Sequence, residues 1–362
     1  MYDDNFFEGS MMIPVVIPAY EPDERFVDLV QNLVTRGIAP IIVVDDGSGP
    51  VWQKFFKKAS EILQDNGVIL RHEVNLGKGK ALKTAFTYIL NKYPDALGCV
   101  TADCDGQHSP DCIEKIRQSF SDDVDVLLLG TREFKYKSIP WKSKLGNCLT
   151  KFICKFFVNL NVRDTQTGLR GIPLNIMPEL IKLKGNRFEY EMQMLIYCAS
   201  KGRIVEVPIQ TIYDCKTNHQ THFNPFLDSI KIYAVIFKQF YKYIVSSVLS
   251  FGLDIVLFWY FCRLLKGSHL STYIILATVF ARLISAMFNI AVNYKIVFTS
   301  HENFALSSIK YGLLAVCIMS ASALLVSGFA FLLPGISPVC IKIVIDTLLF
   351  LMSFYMQKKY VF

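Results

Sequence analysis

Charge is scarce in this chain, and acid is scarcer still toward its end. Asp, Glu, Lys and Arg make up 19% of the 362 residues, against 52% hydrophobic ones. That is too little charge for a wholly water-facing surface and too much apolar content for a disordered or fibrous protein. After residue 240 only three acids remain, Asp254, Glu302 and Asp346, beside nine Lys and Arg, so this stretch carries +6 of the net +7. The cations sit at the edges of apolar runs, which points to a membrane surface and not to nucleic acid. No Cys-x-x-Cys pair occurs among the ten cysteines, and Cys262, Cys317 and Cys340 lie inside apolar runs. Reduced structural thiols are expected, not a disulfide framework or a zinc site. Residues 1–10 lack a basic segment and an apolar core, so no signal peptide is expected there.

Four apolar runs, 244–265, 273–292, 311–333 and 339–356, each approach the roughly 20 residues a helix needs to cross the hydrocarbon. Four spans place both chain ends on one side. Three groups of cations share that side: Lys231, Lys238 and Lys242; Lys295 and Lys310; Lys358 and Lys359. Arg263, Lys266 and Lys342 fall on the other. The positive-inside rule then predicts a multi-pass protein of the cell membrane, with the soluble half and both termini in the cytoplasm. The expected division is a cytoplasmic domain over 1–225, a juxtamembrane helix over 226–243 and a four-helix membrane domain over 244–362.

The first 225 residues alternate apolar runs (12–17, 41–44, 97–101, 124–129) with segments of helical spacing (23–35, 78–90). This rhythm predicts an α/β domain with a parallel sheet, whose ligands lie beyond the carboxyl ends of the strands. The informative polar residues fall at those ends. One run ends in Pro18-Ala19-Tyr20-Glu21, another in Asp45-Asp46-Gly47-Ser48, a third in Ala102-Asp103-Cys104-Asp105-Gly106-Gln107. Clustered carboxylates repel unless a cation neutralises them, and Asp103, Asp105 and Gln107 offer the oxygen ligands that hard divalent cations take. Asp45-Asp46-Gly47-Ser48 reads equally well as a turn or helix cap. The run from Asn75 to Ala81, with Lys78 and two glycines, suggests a phosphate cradle at a helix N-terminus, or an ordinary loop-to-helix turn.

Together these residues resemble the family 2 glycosyltransferases, in the branch of dolichyl-phosphate mannose synthases and polyprenyl-phosphate glucosyltransferases. The matching pieces are IPAYE (17–21), VVDDGS (43–48), NLGKGKALKTAF (75–86), ADCDGQH (102–108), GTRE (130–133), DTQTGLRG (164–171), FEYEMQM (188–194) and VPIQTIY (207–213). The last part, through 281–298 and 354–362, resembles the GtrA-like four-helix membrane domain. The resemblance implies a GT-A fold with a Rossmann-like core and an inverting transfer of a hexose from a nucleotide sugar to a polyprenyl phosphate. UDP-glucose and undecaprenyl phosphate are the leading expectations, and a GDP-mannose-dependent mannose synthase is an alternative. It implies that Asp103, Asp105 and Gln107 hold Mg²⁺ or Mn²⁺, and that Pro18, Ala19, Tyr20, Glu21, Asp45, Asp46, Lys78 and Ala102 line the nucleotide sugar with Asp103. Arg132 would grip the acceptor phosphate, with Lys144 and Asn147 as further contacts. Glu191 would face the donor sugar beside Arg170. His219 and His222 stand where the family often carries an Arg and a Lys, which invites pH sensitivity.

A phosphate monoester is already anionic at neutral pH, so a dedicated general base is optional. Residues 141–158 interleave Lys142, Lys144, Lys151 and Lys155 with Trp141, Phe152, Phe156 and other apolar residues. That spacing suits either an amphipathic helix on an anionic membrane or a core-facing helix. Asp254, Arg282, Asn289, Asn293 and Asp346 stand inside apolar runs, where a pairing of Arg282 with Asp254 or Asp346, or a role in handling a lipid headgroup, would account for them. The rival from another class is a glycolipid-handling, flippase-type membrane protein whose soluble half only binds nucleotide. No nucleic acid partner is expected, and association into a homo-oligomer is compatible with such a bundle.

Overall fold

The computed structural model describes residues 12–121, 125–132, 141–209, 227–265, 273–300, 302–333 and 335–362, with the side chains of 132 and 141–149 outside that description. The chain forms two compact units, Met1–Val235 and Ile236–Phe362.

The first unit is built on a seven-stranded sheet: β1 (Val15–Ala19), β2 (Ile41–Asp45), β3 (Gly67–Arg71), β4 (Gly98–Thr101), β5 (Leu127–Arg132), β6 (Arg170–Pro173) and β7 (Ile204–Ile209), in the order β3-β2-β1-β4-β6-β5-β7. The helices are α1 (Glu24–Thr35), α2 (Gln53–Leu63), α3 (Lys78–Lys92), α4 (Pro110–Gln118), α5 (Trp141–Val158), α6 (Met177–Lys182) and α7 (Phe188–Ser200). β1 and β2 are buried along their whole length because helices cover both faces, which is why they read as unbroken apolar runs. α1 starts where the Asp23 side chain accepts from the Arg25 N–H, and it turns Phe26, Leu29, Val30 and Leu33 into the core at helical spacing. α3 does the same with Ala81, Leu82, Ala85, Phe86 and Ile89.

The expectation of a parallel sheet holds for β1, β2, β3 and β4 and for the β5–β7 pair, and fails at β6. That strand runs antiparallel to both β4 and β5. Its start, Arg170, pairs with Thr101 at the end of β4, so the chain enters β6 from the edge at which its neighbours finish. The ends of β1, β2 and β4 and the start of β6 therefore share one edge, with Ala19 opposite Asp45 and Thr101 opposite Arg170.

The second unit contains most of α8 (Leu227–Leu265), together with α9 (Tyr273–Val292), α10 (Phe304–Leu332) and α11 (Pro338–Met356). Residues 227–265 form one helix of 39 residues. α9 and α11 each continue into a π-helical turn, Asn293–Val297 and Gln357–Val361. These are four helices long and apolar enough to cross a membrane, and the chain is a membrane protein. The eight described cysteines are free thiols. In the bundle, Arg282 lies 3.6 Å from Asp254, while Asp346 pairs with Lys342 at 2.8 Å.

Candidate active site

The edge shared by β1, β2, β4 and β6 is held by two aspartates that both turn inward. Asp45, fully buried at the end of β2, accepts from the Ser48 N–H at 2.9 Å and from Arg71 Nε at 3.1 Å. Asp46 accepts from the Gly77 N–H at 2.7 Å, from the Leu76 N–H at 3.1 Å, and meets His72 Nδ1 at 2.7 Å. His72 in turn meets Thr84 Oγ1 at 2.9 Å. The Asp45-Asp46 pair thus ties three loops together, and Asp46 fixes the turn that launches α3. Gly47 makes this possible: its φ is 75°, and a Cβ there would overlap the backbone of Val74 and Asn75. Beside them Glu21 has φ 49°, a rare conformation for a residue with a side chain, and its N–H donates to Ser48 Oγ at 2.9 Å. Such strain concentrates at sites where the surrounding structure over-determines the backbone.

Lys78 is the first residue of α3, so this scaffold aims it. Its ammonium lies 2.7 Å from Asp103 and 3.0 Å from Glu191. Burial would raise the Asp103 carboxyl, but the Lys78 ammonium and then His108 outweigh it and hold the group well below the usual carboxylate range. Lys78 is raised for the mirror reason: burial opposes its charge, and Asp103 and Glu191 overcome that. Asp105 moves the other way. Burial and the neighbouring Asp103 charge raise its carboxyl, against the N–H of Gln107, which it accepts at 3.0 Å. Arg170 is buried behind Glu191, donating to the carbonyls of Thr167 at 3.0 Å and of Glu191 at 2.9 Å, with its other nitrogen 3.7 Å from the Glu191 carboxylate.

A cavity of about 400 Å³ opens over this group, lined by Lys78, Asp103, Gln107, Arg170 and Glu191. Its other walls are Thr165 and Gln166 from the loop before β6, Phe188 and Met192 from α7, Thr150 from α5 and Tyr233 from the start of α8. The Thr150 and Tyr233 hydroxyls lie 3.3 Å apart. The size suits a small ligand. Thus five predicted residues are brought together in one cavity. Pro18, Ala19, Tyr20, Glu21 and Ala102 lie on the same sheet edge, and burial, followed by Glu21, raises the Tyr20 hydroxyl. Arg132 closes β5 and Lys144 and Asn147 lie in α5, with their side chains outside the described residues; His219 and His222 also lie outside them. His72 and Tyr233 were not anticipated, because their partners Asp46 and Thr150 are distant in sequence; Gln166 lies within the 164–171 motif, its N–H donating to Asp164 at 3.0 Å, but was not singled out there.

The residues present fit a divalent cation bound jointly with a diphosphate. Among the described residues no three His, Cys, Asp or Glu side chains are gathered into a ready-made metal cage. Asp103, Asp105 and Gln107 instead offer an incomplete oxygen set, as magnesium-type sites do when substrate phosphates complete the shell. Lys78 supplies the positive charge between Asp103 and Glu191. Lys78→Met is expected to leave those two carboxylates without a shared cation and to raise the donor KM about tenfold or more, measured by initial rates across donor concentrations. Gly168 backs the site from behind, since a Cβ there would overlap both carboxylate oxygens of Asp103. Gly168→Ala is expected to displace Asp103, lowering the initial rate about tenfold or more while the thermal midpoint falls by only a few degrees.

The family model described as "Glycosyl transferase family 2" matches residues 15–178. An uncharacterised protein of Methanocaldococcus jannaschii is 33% identical over 205 residues, covering 55% of this chain and 81% of that one. The UDP-N-acetylglucosamine–dolichyl-phosphate N-acetylglucosaminyltransferase of Methanococcus voltae is 32% identical over 221 residues, covering 57% and 87%. The solved mannosyltransferase PcManGT of Pyrobaculum calidifontis, in complex with GDP-Man and Mn²⁺, aligns with 96% of this chain and 87% of its own at 12% identity and a TM-score of 0.40. With the sheet edge, the acidic motif and the two sequence relatives in place, the chain belongs to the family 2 glycosyltransferases, with an α/β domain on a mixed seven-stranded sheet followed by four apolar helices.

Proposed function

We propose that the protein transfers a hexose, with inversion, from a nucleotide sugar to the phosphate of a polyprenyl-type lipid. The observation that carries this reading is the cavity in which Lys78 bridges Asp103 and Glu191, on a chain that continues into four helices fit to cross a membrane. The relative from Methanococcus voltae is named for a dolichyl-phosphate acceptor. UDP-glucose and undecaprenyl phosphate are the leading pair. UDP-N-acetylglucosamine is the second donor, favoured by that same name.

Asp103, Asp105 and Gln107 would hold Mg²⁺ or Mn²⁺ beside the donor diphosphate. When bound, the cation offsets charge that develops on the leaving nucleoside diphosphate. Lys78, at the N-terminus of α3, offers a second positive group to the same oxygens. Glu191 faces the sugar hydroxyls, and buried Arg170 fixes its orientation. Tyr20, Glu21 and the residues around Asp45 form the nucleotide side. The acceptor phosphate oxygen attacks the anomeric carbon while the bond to the diphosphate oxygen breaks on the opposite face. No protein base is required, because the nucleophile is already an anion. Arg132, Lys144, Asn147, His219 and His222 are the proposed grips on the acceptor phosphate. The catalytic domain and both termini face the cytoplasm in this reading.

The test is transfer of label from UDP-glucose, UDP-N-acetylglucosamine, UDP-galactose and GDP-mannose to undecaprenyl phosphate by the purified protein. One donor is expected to label the lipid, with the signal abolished by EDTA and reduced about a thousandfold in Asp105→Ala. Metal-dependent nucleotide binding with no transfer from any donor would overturn the reading in favour of a handling protein.

A further inference from the structure

The loop that leads into β6, residues 164–170, is held by a nearly complete set of hydrogen bonds. Asp164 accepts from the Gln166 N–H at 3.0 Å, and Thr167 Oγ1 accepts from the Leu169 N–H at 3.2 Å. The carbonyls of Thr167, Gly168 and Leu169 accept in turn from Arg170 Nε at 3.0 Å, Thr101 Oγ1 at 2.8 Å and the Gly130 N–H at 2.9 Å. Four polar side chains of this loop are buried: Asp164, Thr165, Thr167 and Arg170. Three of them have partners. The Thr165 hydroxyl has none among the described residues, although the residue is only 5% exposed. A buried hydroxyl without a partner is costly, because it has given up water and gained nothing in return. Its neighbours along the backbone are tied down, so relief by a shift of the loop would break other bonds. Such an exception calls for an explanation, and a substrate that supplies the missing partner is one.

Thr165 lines the catalytic cavity. Rotation about its χ1 exchanges the hydroxyl and the methyl group between staggered positions, so a molecule in that cavity can draw the hydroxyl to itself without moving the loop. The cavity has two kinds of wall. Lys78, Asp103, Arg170 and Glu191 are charged and already matched, Lys78 to both carboxylates and Arg170 to Glu191. Thr150, Thr165, Gln166, Ser229 and Tyr233 are neutral. Hydroxyls and amides of this kind both donate and accept. A phosphate is held best where cations or N–H groups converge. An uncharged ring hydroxyl, itself donor and acceptor, is the better match to the neutral wall. The loop also ties Thr165 to the residues that face the donor: Gly168 lies against the Asp103 carboxylate, and Arg170 orients Glu191.

We propose that Thr165 is a specificity-determining residue for the donor, its hydroxyl bonding a ring hydroxyl of the hexose that Glu191 also faces. This rests on the reading of the substrate as a nucleotide sugar, but not on the identity of the acceptor. The test is calorimetric titration of the full chain in detergent, with Mn²⁺ present. UDP-glucose, UDP-N-acetylglucosamine, UDP-galactose and GDP-mannose are each compared with bare UDP or GDP. The tightest-bound of the four is expected to lose about tenfold or more in affinity in Thr165→Val, which keeps the shape and removes the hydroxyl. Bare nucleotide should bind within about twofold of wild type, and Thr165→Ser should restore most of the donor affinity. Because the hydroxyl has no partner to lose, the thermal midpoint of the valine variant should stay level or rise by about a degree or two. Unchanged donor affinity in Thr165→Val, an equal loss for donor and bare nucleotide, or a wild type that binds none of the four would each overturn the proposal. So would a midpoint lowered by more than about 3 °C, the mark of a structural partner. Absent transfer to undecaprenyl phosphate with the valine effect intact would remove the lipid-acceptor reading and leave Thr165 in its role. Transfer intact with no valine effect would remove Thr165 alone.

Discussion

Asp103→Asn is expected to lower the initial rate of glycosyl transfer about a thousandfold, with the protein still folded. The substitution is isosteric and removes one negative charge from the point where the site gathers its cations. Lys78 loses its 2.7 Å partner, and the proposed metal loses one of two carboxylates. Losing a single well-placed electrostatic group in a dry site costs about 10² to 10³ in rate, and weaker cation binding adds to that. Initial rates at saturating donor and cation measure it. The free carboxylate is held low by Lys78 once burial is overcome, so the wild-type charge is in place throughout the neutral range. A rate within about fivefold of wild type would show that Asp103 does not contact the reacting groups.

Asp46→Ala is expected to destabilise the catalytic domain by about 3 kcal/mol or more and to abolish donor binding with it. Asp46 is buried and its oxygens accept from two backbone N–H groups and meet His72. Truncation leaves those donors without a partner away from water, and each such group costs about 1–3 kcal/mol. The Gly77 turn also sets the start of α3 and therefore the reach of Lys78 to Asp103. Thermal unfolding of the full chain should show the catalytic transition lowered by about 10 °C, with nucleotide titration showing no binding. Asp46→Asn keeps part of the acceptor set and should fall between. A variant as stable as wild type that no longer binds nucleotide would instead make Asp46 a direct ligand contact.

These two aspartates mark how far the sequence can be read. Asp103 and Asp46 both end apolar runs, and the run-then-polar pattern places both on the sheet edge. The direction each faces depends on partners far along the chain: Asp46 on Leu76 and Gly77, Lys78 on Glu191. No local spacing encodes such pairings. β6 escaped notice because its four residues begin with a buried arginine and show no apolar run, and its reversed direction follows from where the chain re-enters the sheet. The four spans were legible from composition alone. Their ends were not, because α8 and α10 carry charged residues inside the helix at Lys231, Lys238 and Lys310. The pairing of Arg282 with Asp254 was one of two partners open in the sequence, and Lys342 takes the other acid by lying one helical turn from Asp346.

In the proposed reaction the acceptor atom is a phosphate oxygen on a lipid. The most direct measurement compares undecaprenyl phosphate with undecaprenol as acceptor for the purified full chain, using the labelled donor that transfers. Label is expected in the organic phase with the phosphate ester alone, released as free sugar by mild acid, with equimolar nucleoside diphosphate in the aqueous phase. Equal transfer to the alcohol, or label that survives mild acid, would contradict it.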